Sequence, residues 1–229
     1  QCIAFVINHD SSVLARLFES ARQSLERVSK MPSCTSNTVL MIGGGVIGLL
    51  GSLQLARAGL QVRLLDQNLV GQESSWAGGG IVSPLYPWRY SSAVTALAHW
   101  SQDFYPRLAE QLLAQTGIDP EVHSTGLYWL DLEDEGSALE WARALGYPLE
   151  QIEMALVHDA VPSLGEGFTR AMHMPGLANV RNPRLVKALR AALMQLPNVQ
   201  LKENCAVTGF IVESGRVCGV HTNRGEVRA

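Results

Sequence analysis

The 229 residues carry 18 Lys and Arg against 21 Asp and Glu, a formal net charge of −3, and 47% are hydrophobic against 17% charged. That balance excludes a disordered chain and a basic nucleic-acid-binding protein, and it fits a soluble globular protein of one large or two small domains. The longest apolar run, Val39–Gly51, is too short and too glycine-rich to span a bilayer.

Cys2, Cys34, Cys205 and Cys218 show no C-x-x-C or zinc spacing, and the six histidines are dispersed. Reduced thiols in a cytoplasm and no metal site are the expectation. Residues 1–37 read as an extension outside the fold. Leu14, Leu17, Phe18, Ala21, Leu25 and Val28 recur at helical spacing within Ser11–Lys30, but no signal-peptide pattern or strongly basic face accompanies them. The polar stretch after Met31 reads as a linker, and Met31 is the expected start of the functional protein.

The segment Val39–Asp66 is organised as strand, turn, helix, strand. An apolar run, Val39–Ile42, predicts a buried strand; Gly43, Gly45 and Gly48 follow as G-x-G-x-x-G. A helix to about Ala58 is closed by Gly59, and a second strand, Gln61–Leu65, delivers Asp66 18 residues after Gly48. In that context Gly43 permits the tight turn, Gly45 lets the backbone approach a pyrophosphate, and Gly48 lets the helix pack closely on the strand. Phosphates are favoured at the helix N-terminus, where N–H groups and the positive dipole end point. Asp66 accepts ribose hydroxyls and repels a 2′-phosphate, which disfavours NADP and leaves NAD and FAD. An α/β fold follows, with a doubly wound, mostly parallel sheet.

Further on, Gly71–Pro84 holds three consecutive glycines, Gly78 to Gly80, in company with Trp76, Ile81 and Val82. Such a run suits backbone passing close to a flat or bulky group, and Ser74 and Ser75 offer hydroxyls and amides to phosphate oxygens. The alternating rhythm then breaks. Ser92–Gln115 predicts a long helix kinked or split at Pro106, Gly126–Leu132 a strand, and Gly136–Leu145 a short helix. Residues 85–176 are therefore expected to be part of an α+β substrate domain inserted into a nucleotide domain of residues 38–84 and 177–229. Tyr86, Trp88 and Tyr90, with Arg89, either pack the domain junction or line a pocket; packing is the simpler reading. A helix from Asn182-Pro183, strands Val199–Lys202, Ala206–Val212 and Arg216–Thr222, and turns at Glu213–Gly215 and Asn223–Gly225 complete the chain. The last strands are expected to form a small antiparallel flap.

The fingerprint ending in Asp66-Gln67, followed by E-S-S-W-A-G-G-G-I-V-S-P, resembles the D-amino-acid oxidase superfamily of flavoenzymes. Within it the sequence is most similar to the glycine oxidases of thiamine biosynthesis, from Thr38 to the end, including S-P-L-Y-P-W-R-Y, T-G-L-Y-W-L and N-V-R-N-P-R-L-V-K-A-L. The resemblance implies FAD as cofactor. It places the backbone of Val46 and Ile47 on the pyrophosphate, Asp66 and Gln67 on the adenosine ribose, and Ser74 and Ser75 on the diphosphate–ribityl region. Gly79, Gly80 and Ile81 would run along the isoalloxazine ring, with Ile81 where the family usually has Met, and the backbone of Val207 would bracket the adenine. Val207 on its own reads as plain core.

The implied reaction is oxidation of glycine or another small amino acid or amine by flavin and dioxygen, to an oxo acid, ammonia and hydrogen peroxide. D-amino-acid dehydrogenase and sarcosine-type oxidases share these signatures, and a nucleotide-binding module without turnover is the reading from another class. No side chain here is nominated as catalytic. The resemblance places the arginine that pairs with the substrate carboxylate beyond Ala229, with Arg89 a poor substitute. It implies that the chain is roughly the N-terminal two-thirds of a family member, and it leaves room for a homo-oligomer.

Overall fold

The computed structural model describes residues 37–229, so the amphipathic stretch and the extension expected before them lie outside the described residues. In chain order come β1 (Thr38–Ile42), α1 (Val46–Arg57), β2 (Gln61–Leu65), a single turn α2 (Ser74–Ala77) and α3 (Ser92–Thr116). Next are β3 (His123–Ser124), β4 (Leu127–Leu130), α4 (Glu135–Leu145), β5 (Glu150–Ile152) and α5 (Met154–Ala160). The chain ends with β6 (Ala171–Met174), β7 (Ala178–Asn179), α6 (Asn182–Met194), β8 (Val199–Lys202), β9 (Val207–Glu213), β10 (Arg216–Thr222) and β11 (Gly225–Arg228). The chain divides into two compact units, one of residues up to Gly79 with 109–120 and 181–229, the other of residues 80–108 and 121–180. The divisions thus fall at Gly79/Gly80 and Val180/Arg181, not at 84 and 176. Two more fall at Pro120/Glu121 and at Leu108/Ala109, the latter inside α3, which runs unbroken through Pro106. Proline removes one N–H from the helix ladder there without ending the helix.

In the first unit β1, β2 and β8 form a parallel sheet in that order, with Val39 opposite Val62 and Val62 opposite Val199. Strands advancing in one direction with right-handed crossovers place their helices on one face, and α1 packs against α6. Alternation along β1 separates the layers. Met41 lies under Gly48 and Gly51 of α1, whereas Leu40 joins Leu65, Cys205, Val220 and Val227 in a core on the opposite face. That face is covered by the antiparallel meander β9–β10–β11, three strands where a two-stranded flap was expected. Among the described residues the sheet is therefore not doubly wound. The second covering layer is a sheet, because β10 and β11 present Val220 and Val227 to it on the period of two that strands impose.

The helical layer is held by apolar stripes. Leu49 and Leu53 of α1 and Leu189 and Leu193 of α6 are fully buried, each such side chain contributing about 1.5–3 kcal/mol of transfer free energy. At the end of α1, Gly59 takes φ +89° and the N–H groups of Ala58, Gly59 and Leu60 bond back to Gln54, Ala56 and Leu55. Asn198 Nδ2 closes the same end by donating to the carbonyls of Ala56 and Leu60, both at 2.8 Å.

The second unit is built on the antiparallel sheet β4–β6–β5, with Trp129 opposite Met172 and Met172 opposite Gln151. One face of it carries a core of Trp129, Met172, Met174, Leu177 and the α4 residues Ala138 and Ala142. Tyr86 and Trp88 pack on that core, within the second unit itself, Trp88 edge-on to Trp129 at 5.4 Å, while Tyr90 stays half exposed. Buried Glu135, in the first turn of α4, is matched by Arg170 at 3.4 Å and by the amide of Gln151.

Candidate cofactor-binding site

The end of β1 feeds a turn that only glycines can make. Gly43 takes φ +95°, and its N–H donates to Leu65 O at 2.8 Å, which ties the turn to the tip of β2. A Cβ on Gly48 would stand 1.8 Å from Gly43 O, so α1 can begin this close to the strand only without a side chain there. Gly45 is the N-cap, extended at φ −70°, ψ −179°, and its carbonyl accepts Leu49 N–H at 2.9 Å. The N-cap Gly45 has no side chain to cap α1, and no acid occupies the first turn. Ile47 is 80% exposed at that end.

Asp66, at the tip of β2, gathers the surrounding loops. Its Oδ2 accepts Gly44 N–H at 2.6 Å and its Oδ1 accepts Asn68 N–H at 2.8 Å. Its own N–H donates to Lys202 O at 3.0 Å, and its carbonyl accepts Cys205 N–H at 2.7 Å. Each carboxylate oxygen keeps a lone pair for a further donor. Gln67 beside it is exposed. Val207 packs its side chain on the core that contains Leu65, one residue before Asp66.

The glycine turn and the serine segment meet in the first unit. Ser75 Oγ accepts the N–H of Val46 at 2.9 Å, and a Cβ on Gly45 would meet that same Oγ at 3.1 Å. Ser74 points a more exposed face to solvent. Gly78 is packed against Asn182 at the start of α6, whereas a Cβ on Gly79 would meet nothing within 4 Å. Gly80 and Ile81 belong to the second unit, where Gly80 O accepts Val180 N–H at 2.8 Å and Ile81 bridges to Asn179. The first unit thus brings together Gly43, Gly45, Val46, Ile47, Gly48, Asp66 and Ser75.

These residues fit the ADP half of a dinucleotide. A helix N-terminus beside glycine backbone receives a pyrophosphate, and an acid with spare lone pairs receives a ribose diol. Two participants escaped the sequence reading. Gly44 was an unassigned position of the motif, yet it is buried and donates to Asp66; the run of three glycines was its signal. Asn68 holds Asp66 through its backbone and Glu73 through its side chain at 2.9 Å, and no local pattern marks it.

Arg89 is engaged by its own protein. Its Nε and Nη2 donate to the two carboxylate oxygens of Asp134 at 2.8 and 2.7 Å, and its guanidinium lies 4.1 Å over the Tyr86 ring. The hydrogen bond from Arg89, followed by that from Trp88 Nε1, holds the Asp134 carboxyl well below the usual range. A fork already closed on a carboxylate does not offer itself to a substrate's. Among the described residues, no group of His, Cys, Asp and Glu has the arrangement of a metal site, and no helix is long and apolar enough to cross a membrane.

Residues 38–229 match the family described as DAO, FAD dependent oxidoreductase. The chain is 63% identical over 194 residues to a glycine oxidase of Pseudomonas putida, covering 85% of this chain and 53% of that protein. It is 58% identical over 193 residues to a glycine oxidase of Pseudomonas aeruginosa, covering 84% and 53%. Its fold superposes on the crystal structure of glycine oxidase from Bacillus cereus with a TM-score of 0.75 at 27% identity, over 85% of this chain and 53% of the other. The chain therefore spans about half the length of the curated relatives it matches, less than the two-thirds expected from the sequence. The family match over Thr38–Ala229, together with the glycine turn and Asp66 it contains, shows that this chain belongs to the DAO family of FAD dependent oxidoreductases.

Proposed function

We propose that the whole protein is an FAD-dependent oxidase of glycine or a comparably small amino acid or amine, serving thiamine biosynthesis. The observation that carries the reading is the meeting of Gly44 N–H with Asp66 and of Val46 N–H with Ser75 at one helix N-terminus, in a chain 63% identical to a glycine oxidase. When bound, FAD would supply the two-electron oxidation of the amine and the return of those electrons to dioxygen. The chain's own residues bind and orient. The N-terminus of α1 with Gly43, Gly45, Val46, Ile47 and Gly48 would hold the pyrophosphate. Asp66 and Gln67 would hold the adenosine ribose, and Ser74 and Ser75 the diphosphate–ribityl region. Gly79, Gly80 and Ile81 would run beside the flavin ring and the backbone of Val207 beside the adenine. The first unit is then the FAD-binding domain and the second a part of the substrate domain. The substrate's carboxylate would be met outside this chain, because Asp134 occupies Arg89. We place the protein in the cytoplasm, in keeping with Cys205 and Cys218, which form no disulfide among the described residues.

The test is a visible spectrum of the purified protein followed by peroxide measurement with glycine, D-proline and sarcosine. Flavin bands, and peroxide formed from glycine, are expected. A colourless protein that takes up no added FAD would refute the cofactor assignment, and flavin bands without peroxide from any of the three amines would refute the oxidase.

A further inference from the structure

The loop that follows Asp66 is wedged between the glycine turn and α6. Val70 is 5% exposed, and its side chain occupies the space a Cβ on Gly44 would need. On the opposite side Gly71, at φ +74°, lies so close to Val186 of α6 that no larger residue fits. The backbone of the wedge is held by one side chain from the end of the neighbouring strand, distant in sequence but at the same end of the sheet as Asp66. Glu203, just past β8, accepts Val70 N–H on Oε1 at 3.1 Å and meets Arg190 of α6 on Oε2 at 3.2 Å. Its side chain is 19% exposed, while that of Arg190 is 45% exposed. Burial pushes the Glu203 carboxyl up, but Arg190 and the Val70 N–H outweigh it and hold the group charged below the ordinary range.

We infer that Glu203 is a positioning residue for the nucleotide site: by accepting Val70 N–H it presses the Val70 side chain on Gly44 and so keeps Gly44 N–H on Asp66 and the turn in its phosphate-receiving shape. The relay runs Glu203 to Val70 to Gly44 to Asp66, four residues from three separate loops of the first unit. Glu203 bonds to Val70 N–H and to Arg190, whereas Asp66 and Ser75 hold the glycine turn at Gly44 and Val46, so Glu203 acts on the turn through Val70. The acceptor oxygen matters to this relay and the ion pair does not, because a pair with an arginine this exposed is screened by water. The inference rests on the FAD-binding reading above.

The test is the dissociation constant for FAD of the apoprotein, followed by flavin fluorescence, in parallel with its urea denaturation midpoint. Glu203→Ala leaves Val70 N–H without its charged acceptor and is expected to weaken FAD binding about tenfold. Glu203→Gln keeps a carbonyl oxygen for Val70 N–H, and Arg190→Ala leaves Glu203 whole; both are expected within about threefold of the parent. A lower denaturation midpoint in Glu203→Ala with parental FAD affinity would reduce Glu203 to a stabilising residue and overturn the inference. Equal losses in the Ala and Gln variants would overturn it as well. Should Glu203→Ala not fold, Val70→Ala carries the test, and FAD affinity equal to the parent's there has the same consequence. Failure of the parent protein to bind FAD would instead count against the proposed function, a result these variants do not mimic.

Discussion

Gly48 and Gly51 lie three residues apart on α1, and replacing each by alanine should have opposite effects. At Gly48 the added Cβ would stand 1.8 Å from the carbonyl oxygen of Gly43, and real Cβ atoms keep at least 3.0 Å from such a neighbour. The first turn of α1 must then move by about 1.2 Å from a backbone atom that is itself pinned, since Gly43 N–H is bonded to Leu65 O. Overpacking of this kind costs about 1–3 kcal/mol. The shift also endangers the 2.9 Å bond from Val46 N–H to Ser75, a further ~0.5–1.5 kcal/mol. Against this, alanine in a helix gains only about 0.5–1 kcal/mol over glycine. At Gly51 the added Cβ meets the terminal methyl of Met41 at 3.0 Å, a flexible end that yields by a few tenths of an ångström, so the helix gain of about 0.5–1 kcal/mol should survive largely intact. Urea denaturation of the two apoproteins, with FAD titration of each, measures both effects. Gly48→Ala is expected to lose about 2 kcal/mol of stability and more than about tenfold in FAD affinity, with Gly51→Ala as stable as the parent or slightly more so. Equal behaviour of the two variants would refute the argument that Gly48 is required by the backbone of Gly43.

Ser52 Oγ is buried on the inner face of α1 without a hydrogen-bond partner among the described residues, so Ser52→Ala should raise the unfolding free energy by about 1 kcal/mol; a loss of stability would show that the hydroxyl has a role there. Ser75→Ala removes the acceptor of Val46 N–H and should weaken FAD about three- to tenfold, whereas Ser74→Ala, which takes no part in that bond, should change affinity less. Equal losses would place the phosphate elsewhere. Asp134 has its folded-state pKa depressed by Arg89 and Trp88. Its contribution to stability is therefore complete above the unfolded carboxylate value near about 4 and fades as the pH falls below it. Asp134→Asn should be less stable than the parent at pH 7, with the gap closing on acidification; a gap that widens in acid would contradict the assignment.

The strand–turn–helix–strand of Val39 to Asp66 was legible because everything that specifies it is local. The apolar run, the glycine offsets and the stop at Gly59 all act within a few residues, and the observed bounds differ from the expected ones by a residue or so. The covering of the sheet was not legible. Val220 and Val227 announce strands by alternation, but nothing in that alternation says that they close on Leu40 and Leu65. The short elements β5, α5, β6 and β7 were missed for a related reason. Ala171 and Met172 are both buried although they face opposite ways, so the stretch lacks the polar–apolar contrast that marks a half-buried strand. In the site, Ser74 and Ser75 were equivalent as letters, and only the position of α2 beside Val46 tells them apart. Gly44, Val70 and Glu203 are joined across more than 130 residues, a distance over which no periodicity carries information.

The four-way hold on Asp66 bears on how readily the nucleotide preference of such a protein could drift. Its carboxylate, proposed above to meet a ribose, is also a structural rivet for Gly44 and Asn68. Trading it for a small neutral residue to admit a phosphorylated ribose would release both loops along with the charge, so a new preference would have to arrive with a second anchor already in place. Single-step evolution at this position is thereby obstructed, and an engineered swap should begin by supplying Gly44 N–H with another acceptor.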